Sequence, residues 1–245
     1  MNIGNIPTHI LCTLYPGAFY KTPDDEYSHA GEAITLPAAD GTLLSGWFYD
    51  RGEGSPLVAM YCGNGMNAGD FNFLARRDKT RSYLLINYRG YGSSEGIPSE
   101  SNIVADARHC LQYARNRLNN RPGPLCLVGY SMGSAVAIQV AAVEQPAQLV
   151  LITPFDCYAS VIGHEIVTEY PGVADWDSAA VAPHISCPVT IMRAKGDTIV
   201  PPTSTAALAK AFLTPPEEKS YPGEHNTIMF QEGFIPDFFQ QLPQP

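Results

Sequence analysis

Basic charge is scarce in this 245-residue sequence. It holds 15 Lys and Arg against 24 Asp and Glu, a formal charge of −9, with a pI near 5.0. A net negative field repels phosphate backbones and anionic lipid, so nucleic acid is not an expected partner. Long apolar runs are missing too. None exceeds about ten residues, where a membrane span needs about 20, so no stable membrane anchor is expected. The first residues lack a basic segment followed by an apolar one, which argues against a signal peptide. Asn2 stands where myristoylation requires glycine. The six cysteines, at 12, 62, 110, 126, 157 and 187, form no CxxC and no Cys/His cluster, so no metal site is expected. They read as buried free thiols of a reducing, cytoplasmic compartment. Neither repeats nor low-complexity tracts occur.

Apolar residues make up 45% and charged residues 16%, which excludes a disordered chain. The length suits one α/β domain over residues 1–245. Residues 1–30, rich in Pro and Tyr and without clear period, read as an extended lead-in on the surface. AITL and LLSGWFYD flank a turn at Asp40–Thr42 and read as two strands. PLVAMYC (56–62), SYLLINY (82–88), PLCLVGY (124–130), QLVLIT (148–153) and PVTIMR (188–193) are continuous apolar runs, as buried parallel strands require. Helical patterns fall between them. Ile103, Ala107, Cys110, Leu111, Ala114 and Leu118 form one amphipathic stripe, with Asp106, Arg108, Arg115 and Arg117 on its other face. Residues 132–144 are apolar nearly all round, as in a buried helix. Alternating strands and helices predict a mostly parallel central sheet with helices on both faces. Ligands then belong at the carboxyl ends of the strands.

One of those ends carries Gly129-Tyr130-Ser131-Met132-Gly133, a G-x-S-x-G sequence. A strand runs straight into Ser131 and a helical pattern starts straight after it, the context of a nucleophile elbow. Glycines suit such a turn because larger residues would strike the adjoining strand and helix. Gly92-Ser93-Ser94-Glu95-Gly96 also fits the pattern, but a loop precedes it and Gly96-Ile97-Pro98 follows, so Ser94 reads as a solvated loop serine.

With CGNG (62–65), NYRGYGSSEG (87–96), GYSMGS (129–134), KGDTIVPP (195–202) and GEHN (223–226) in this order, the chain resembles the α/β-hydrolase superfamily from about residue 33 to 239. It looks closest to small serine hydrolases with a short cap, among them acyl-protein thioesterases, depalmitoylases and carboxylesterases. The resemblance implies a Ser–Asp–His triad in that chain order. His9 and His29 precede the sheet, His109 lies on the amphipathic helix, and His164 and His184 lie in an insertion. His225 alone follows the last predicted strand, so it is the expected base. A final helix after it would bury some of Phe230, Phe234, Phe238 and Phe239. Asp197, beyond PVTIMR, is the expected orienting acid. Asp156 is its rival, since some relatives carry the acid there, and otherwise reads as a loop cap. Ala194-Lys195-Gly196 departs from the family's usual His-Gly before the acid.

The oxyanion hole would use the backbone N–H groups of Met132 and, by matching, Asn64; relatives carry a histidine where this chain has Cys62. The same loop, Gly63 to Ala68, also fits a dinucleotide fingerprint. The next strand should then end in an acid, but Asn87-Tyr88-Arg89 stands there. NYRGYGSSEG reads as a structural turn beside the oxyanion loop. Arg89 reads as pairing with a carboxylate or carbonyl, with substrate contact as the alternative.

Residues 155–186 interrupt the alternation and read as a short cap. Its apolar residues, including Tyr158, Val161, Ile162, Ile166, Val167, Tyr170, Pro171, Val173 and Trp176, either line an acyl pocket or pack on the sheet. Tyr130, Tyr158 and Ile162 are the candidate substrate-lining residues. Glu165, Glu169, Asp175 and Asp177 are expected to face solvent. The resemblance implies ester or thioester hydrolysis through an acyl-enzyme on Ser131, without cofactor or metal, on a small-molecule or acyl-protein substrate. The alternative is a hydrolase-fold binding or scaffold protein. Oligomeric state is not legible.

Overall fold

A computed structural model describes residues 7–27, 31–170 and 174–244. His29, Pro171 and Val173 lie outside them, as does the Val167 side chain. Among the described residues, eight strands form one sheet: β1 (Glu32–Pro37), β2 (Leu43–Tyr49), β3 (Leu57–Tyr61), β4 (Ser82–Ile86), β5 (Leu125–Tyr130), β6 (Gln148–Ile152), β7 (Val189–Ala194) and β8 (Glu217–Tyr221). Their order is β1-β2-β4-β3-β5-β6-β7-β8. Only β2 runs against its neighbours; every other pairing is parallel. Every residue of β3 and β4 is buried, so both faces are covered there.

The helices are α1 (Thr8–Leu14), α2 (Asn72–Arg77), α3 (Glu100–Arg117), α4 (Met132–Glu144), α5 (Ala159–Ile162), α6 (His164–Glu169), α7 (Ser178–Val181), α8 (Pro202–Ala211) and α9 (Phe234–Gln241). Ser99 caps α3, accepting from Asn102 N–H. The α3 stripe is buried as its spacing requires. Helix α4 packs on β3, β5 and β6.

The winding places the site. From β3 the chain crosses to β4 on one side, then returns to lay β5 on the other. The carboxyl ends of β3 and β5 therefore flank the point where the strand order reverses, where open α/β sheets bind ligands.

Several expectations need correction. Residues 8–14 are not extended: THILCTL forms α1, which buries Leu11 and Leu14, followed by buried Tyr15. Strand β8 was not expected, because EEKSY exposes both glutamates on the sheet edge and lacks an apolar run. Asp106 is not on a solvated face. It is buried against Arg89, whose Nε and Nη2 donate to it at 2.6 and 2.8 Å. Arg89 also reaches Asp40 at 2.6 Å, so it pairs with carboxylates. Ser94 is buried as well. Its Oγ accepts from Ser45 N–H and donates to Asn87 O, tying the 87–96 turn to β2. In the last segment Phe234 and Phe238 are buried, Phe239 is half-buried and Phe230 is exposed. In the 155–186 segment Trp176 is fully buried, and Asp175 is only half-exposed. The six cysteines are free, but Cys12, Cys157 and Cys187 are only half-buried.

Candidate active site

The site begins with a strained serine. Ser131 has φ +53° and ψ −121°, a region costly for a side-chain-bearing residue. Close packing enforces it. A Cβ on Gly129 would lie 2.5 Å from Ser134 Cα, and one on Gly133 would lie 2.7 Å from Cys62 O and closer to Tyr61 O. Ser131 N–H donates to Ile152 O of β6, which fixes the turn from the neighbouring strand. The turn lifts Oγ over the sheet edge and aims the N-terminus of α4, with its unpaired N–H groups, at the same space.

Two further strand ends complete the constellation. His225 follows β8 and Asp197 follows β7. His225 Nε2 lies 2.9 Å from Ser131 Oγ, and its Nδ1 lies 2.8 Å from Asp197 Oδ2. The histidine is 3% exposed. The hydroxyl of Tyr130 donates to His225 O at 2.9 Å and so anchors the histidine loop from the residue beside the serine. Asp197 Oδ1 accepts from Ile199 and Val200 N–H at 2.9 and 2.8 Å. Burial pushes the Asp197 carboxyl up. The bonds from His225 and Val200 more than offset that, so it stays below the ordinary carboxylate value. The rival, Asp156, accepts from Ser204 Oγ at 2.6 Å and from Cys157 N–H at 2.8 Å, the bonds of a loop cap.

A cavity of about 290 Å³ opens over Ser131 and His225. Asn64 and Met132 line it, as do Tyr130, Tyr158 and Ile162. So do Phe155, Val161 and Thr13, the last from α1. Sequence reasoning missed that α1 reaches the site; its only signal was the spacing of Ile10, Leu11 and Leu14. Among the described residues, the cavity lining carries no Lys, Arg, Asp or Glu. Glycine-loop geometry does not favour a dinucleotide. Asn87, at the ribose-binding position, is fully buried and bonds Ala68 N–H, Asp24 and Ser45.

Residues 57–186 match the model of the alpha/beta hydrolase family. The chain belongs to this family. It is 31% identical over 221 residues to an uncharacterized Mycobacterium tuberculosis protein, covering 84% of this chain and 76% of that one. It is also 31% identical over 214 residues to the Danio rerio lysophosphatidylserine lipase ABHD12, covering 75% of this chain and 55% of that protein. The Pyrococcus furiosus esterase Pf2001 shares the fold with a TM-score of 0.68, 15% identity, and 90% and 91% of the two chains covered. Family membership supports a hydrolase. Among the described residues, no helix is long and apolar enough to cross a membrane.

Proposed function

We propose that this hydrolase cleaves carboxylic esters or thioesters through an acyl-enzyme on Ser131. The observation that carries the reading is the continuous hydrogen-bonded line Ser131–His225–Asp197 at 2.9 and 2.8 Å, opening into a cavity. A serine hydroxyl is a weak nucleophile until a base takes its proton. His225 Nε2 takes that proton as Oγ attacks the acyl carbon. Asp197, ionised, holds Nδ1–H and stabilises the imidazolium. The N–H groups of Met132 and Asn64 receive the oxyanion. The tetrahedral adduct collapses, the C–O or C–S bond breaks, and His225 returns the proton to the departing alcohol or thiol. Water then attacks the acyl-enzyme by the same route and releases the acid with free Ser131. No step requires a cofactor.

The uncharged lining favours a neutral acyl group, which Tyr130, Tyr158 and Ile162 would contact. A lysophospholipid ester, the substrate class in the name of the Danio rerio relative, belongs in the test panel beside short and medium acyl esters and acyl-protein thioesters. The free thiols fit a cytoplasmic location. Hydrolysis of p-nitrophenyl and thioester acyl series by wild type and His225→Ala is the test. Turnover by wild type that vanishes in the variant supports the reading. Ligand binding without turnover on any member favours the binding-protein alternative.

A further inference from the structure

The Asn64 side chain ties three parts of the chain together. Its Nδ2 donates to Leu14 O of α1 at 2.9 Å and to the Tyr158 hydroxyl at 2.6 Å. Its Oδ1 accepts from the Tyr91 hydroxyl at 2.6 Å. Tyr158 in turn donates to Leu14 O at 3.2 Å, which closes a ring. Both amide protons of Asn64 are thereby used, and its oxygen holds a hydroxyl. Tyr91, Tyr158 and Leu14 are all buried. Packing tightens the same joint. A Cβ on Gly17 would run into the Tyr91 ring and sit 3.0 Å from Gly65 Cα, so the residues after α1 press against the loop that carries Asn64.

This loop is short and glycine-rich. Gly63 and Gly65 flank Asn64, and Gly65 has φ +88°. Such a backbone has many alternatives and needs external bonds to keep one N–H direction. An oxyanion donor helps only if it points at the developing charge before reaction.

We propose that the hydrogen-bonded ring of Asn64, Tyr158 and Leu14 O, together with the Tyr91 hydroxyl held on Asn64 Oδ1, positions the Asn64 N–H for the oxyanion, so that α1 and the segment after β6 are working parts of the active site. The inference rests on the hydrolase reading above. Tyr91 and Tyr158 are positioning residues: they act through Asn64 and not on the substrate's reacting atoms. Tyr158 also lines the cavity, so Tyr91, which does not, gives the cleaner test.

The experiment compares wild type, Tyr91→Phe, Tyr158→Phe, Asn64→Ala and the Tyr91→Phe/Asn64→Ala double variant on one p-nitrophenyl ester. It also measures inhibition by a trifluoromethyl ketone, which forms an oxyanion on the serine, and thermal melting. The expected result for Tyr91→Phe is a fall in kcat of about tenfold or more with little change in KM, since removal of a whole donor costs about 10²–10³. Ketone affinity should fall in parallel with kcat/KM. In the Asn64→Ala background, Tyr91→Phe should have no further effect, because coupled residues are not additive. If either phenylalanine variant is too unstable to assay, the other carries the comparison. The inference is overturned if the folded variants keep kcat within twofold, or if the Tyr91 and Asn64 losses multiply. Wild type that neither hydrolyses the ester nor binds the ketone would instead overturn the hydrolase reading.

Discussion

Gly133→Ala is the smallest change that should damage both fold and site. The new methyl carbon would lie 2.5 Å from Tyr61 C and 2.7 Å from Cys62 O, with Tyr61 O nearer still. A carbon–oxygen contact is comfortable from about 3.3 Å, so the Cys62 contact alone is short by about 0.6 Å. Every atom struck is backbone at the end of β3, and none can rotate away. Helix α4 must move from β3, or the strand end must bend. Overpacking of this kind costs about 1–3 kcal/mol. At about 2–4 °C per kcal/mol for a chain of this size, melting should fall by about 2–12 °C. The movement also separates Met132, at the start of α4, from Asn64, just beyond β3. A 1 Å misplacement costs about 10²-fold; the Cys62 contact alone demands about 0.6 Å and the nearer Tyr61 O demands more, so kcat should fall by more than about tenfold. Thermal denaturation and steady-state hydrolysis read the two effects. A variant that melts within 1 °C of wild type and keeps its kcat, with ~1 °C taken as the resolution of the melt, would refute the packing argument.

Asp197→Asn should leave the fold intact and lower kcat by about 10⁴-fold, because the amide favours the wrong imidazole tautomer; Asp156→Asn, measured beside it, should cost far less. Arg89→Ala strands the buried Asp106 carboxylate and should destabilise by about 3–5 kcal/mol, read as the urea midpoint. Asp78 accepts from Arg81 and Tyr83 at 2.9 and 2.7 Å. Burial raises its carboxyl, but the Thr80 N–H, Tyr83 and Arg81 bonds outweigh that and hold it at about 2. A carboxyl depressed on folding stabilises above its unfolded value and loses that contribution as pH falls through its folded one. Stability should therefore drop between about pH 4 and 2. Asp78→Asn should flatten part of that drop in acid denaturation followed by circular dichroism.

The apolar strands and the G-x-S-x-G turn were legible because their signals are local. Buried runs announce β3 to β7, and the strand–Gly–helix pattern announces Ser131. His225 and Asp197 followed from chain order once the family likeness was recognised. What escaped is non-local. Strand β8 is an edge whose glutamates face water, so pairing with β7 and not hydropathy makes it a strand. Asp106 looks like a surface residue until Arg89, seventeen positions earlier, folds against it. Ser94 sits in a polar stretch that reads as solvated, yet it is buried by its bond to Ser45. The Asn64 hydrogen bonds join residues 14, 64, 91 and 158, and no periodicity links those positions.

Labelling with a fluorophosphonate, followed by peptide mapping, asks directly whether Ser131 is an activated nucleophile. The expected result is one phosphonate on the peptide containing Ser131, absent in Ser131→Ala and strongly slowed in His225→Ala. Folded wild-type protein that stays unlabelled, or labelling that persists in Ser131→Ala, would contradict the assignment.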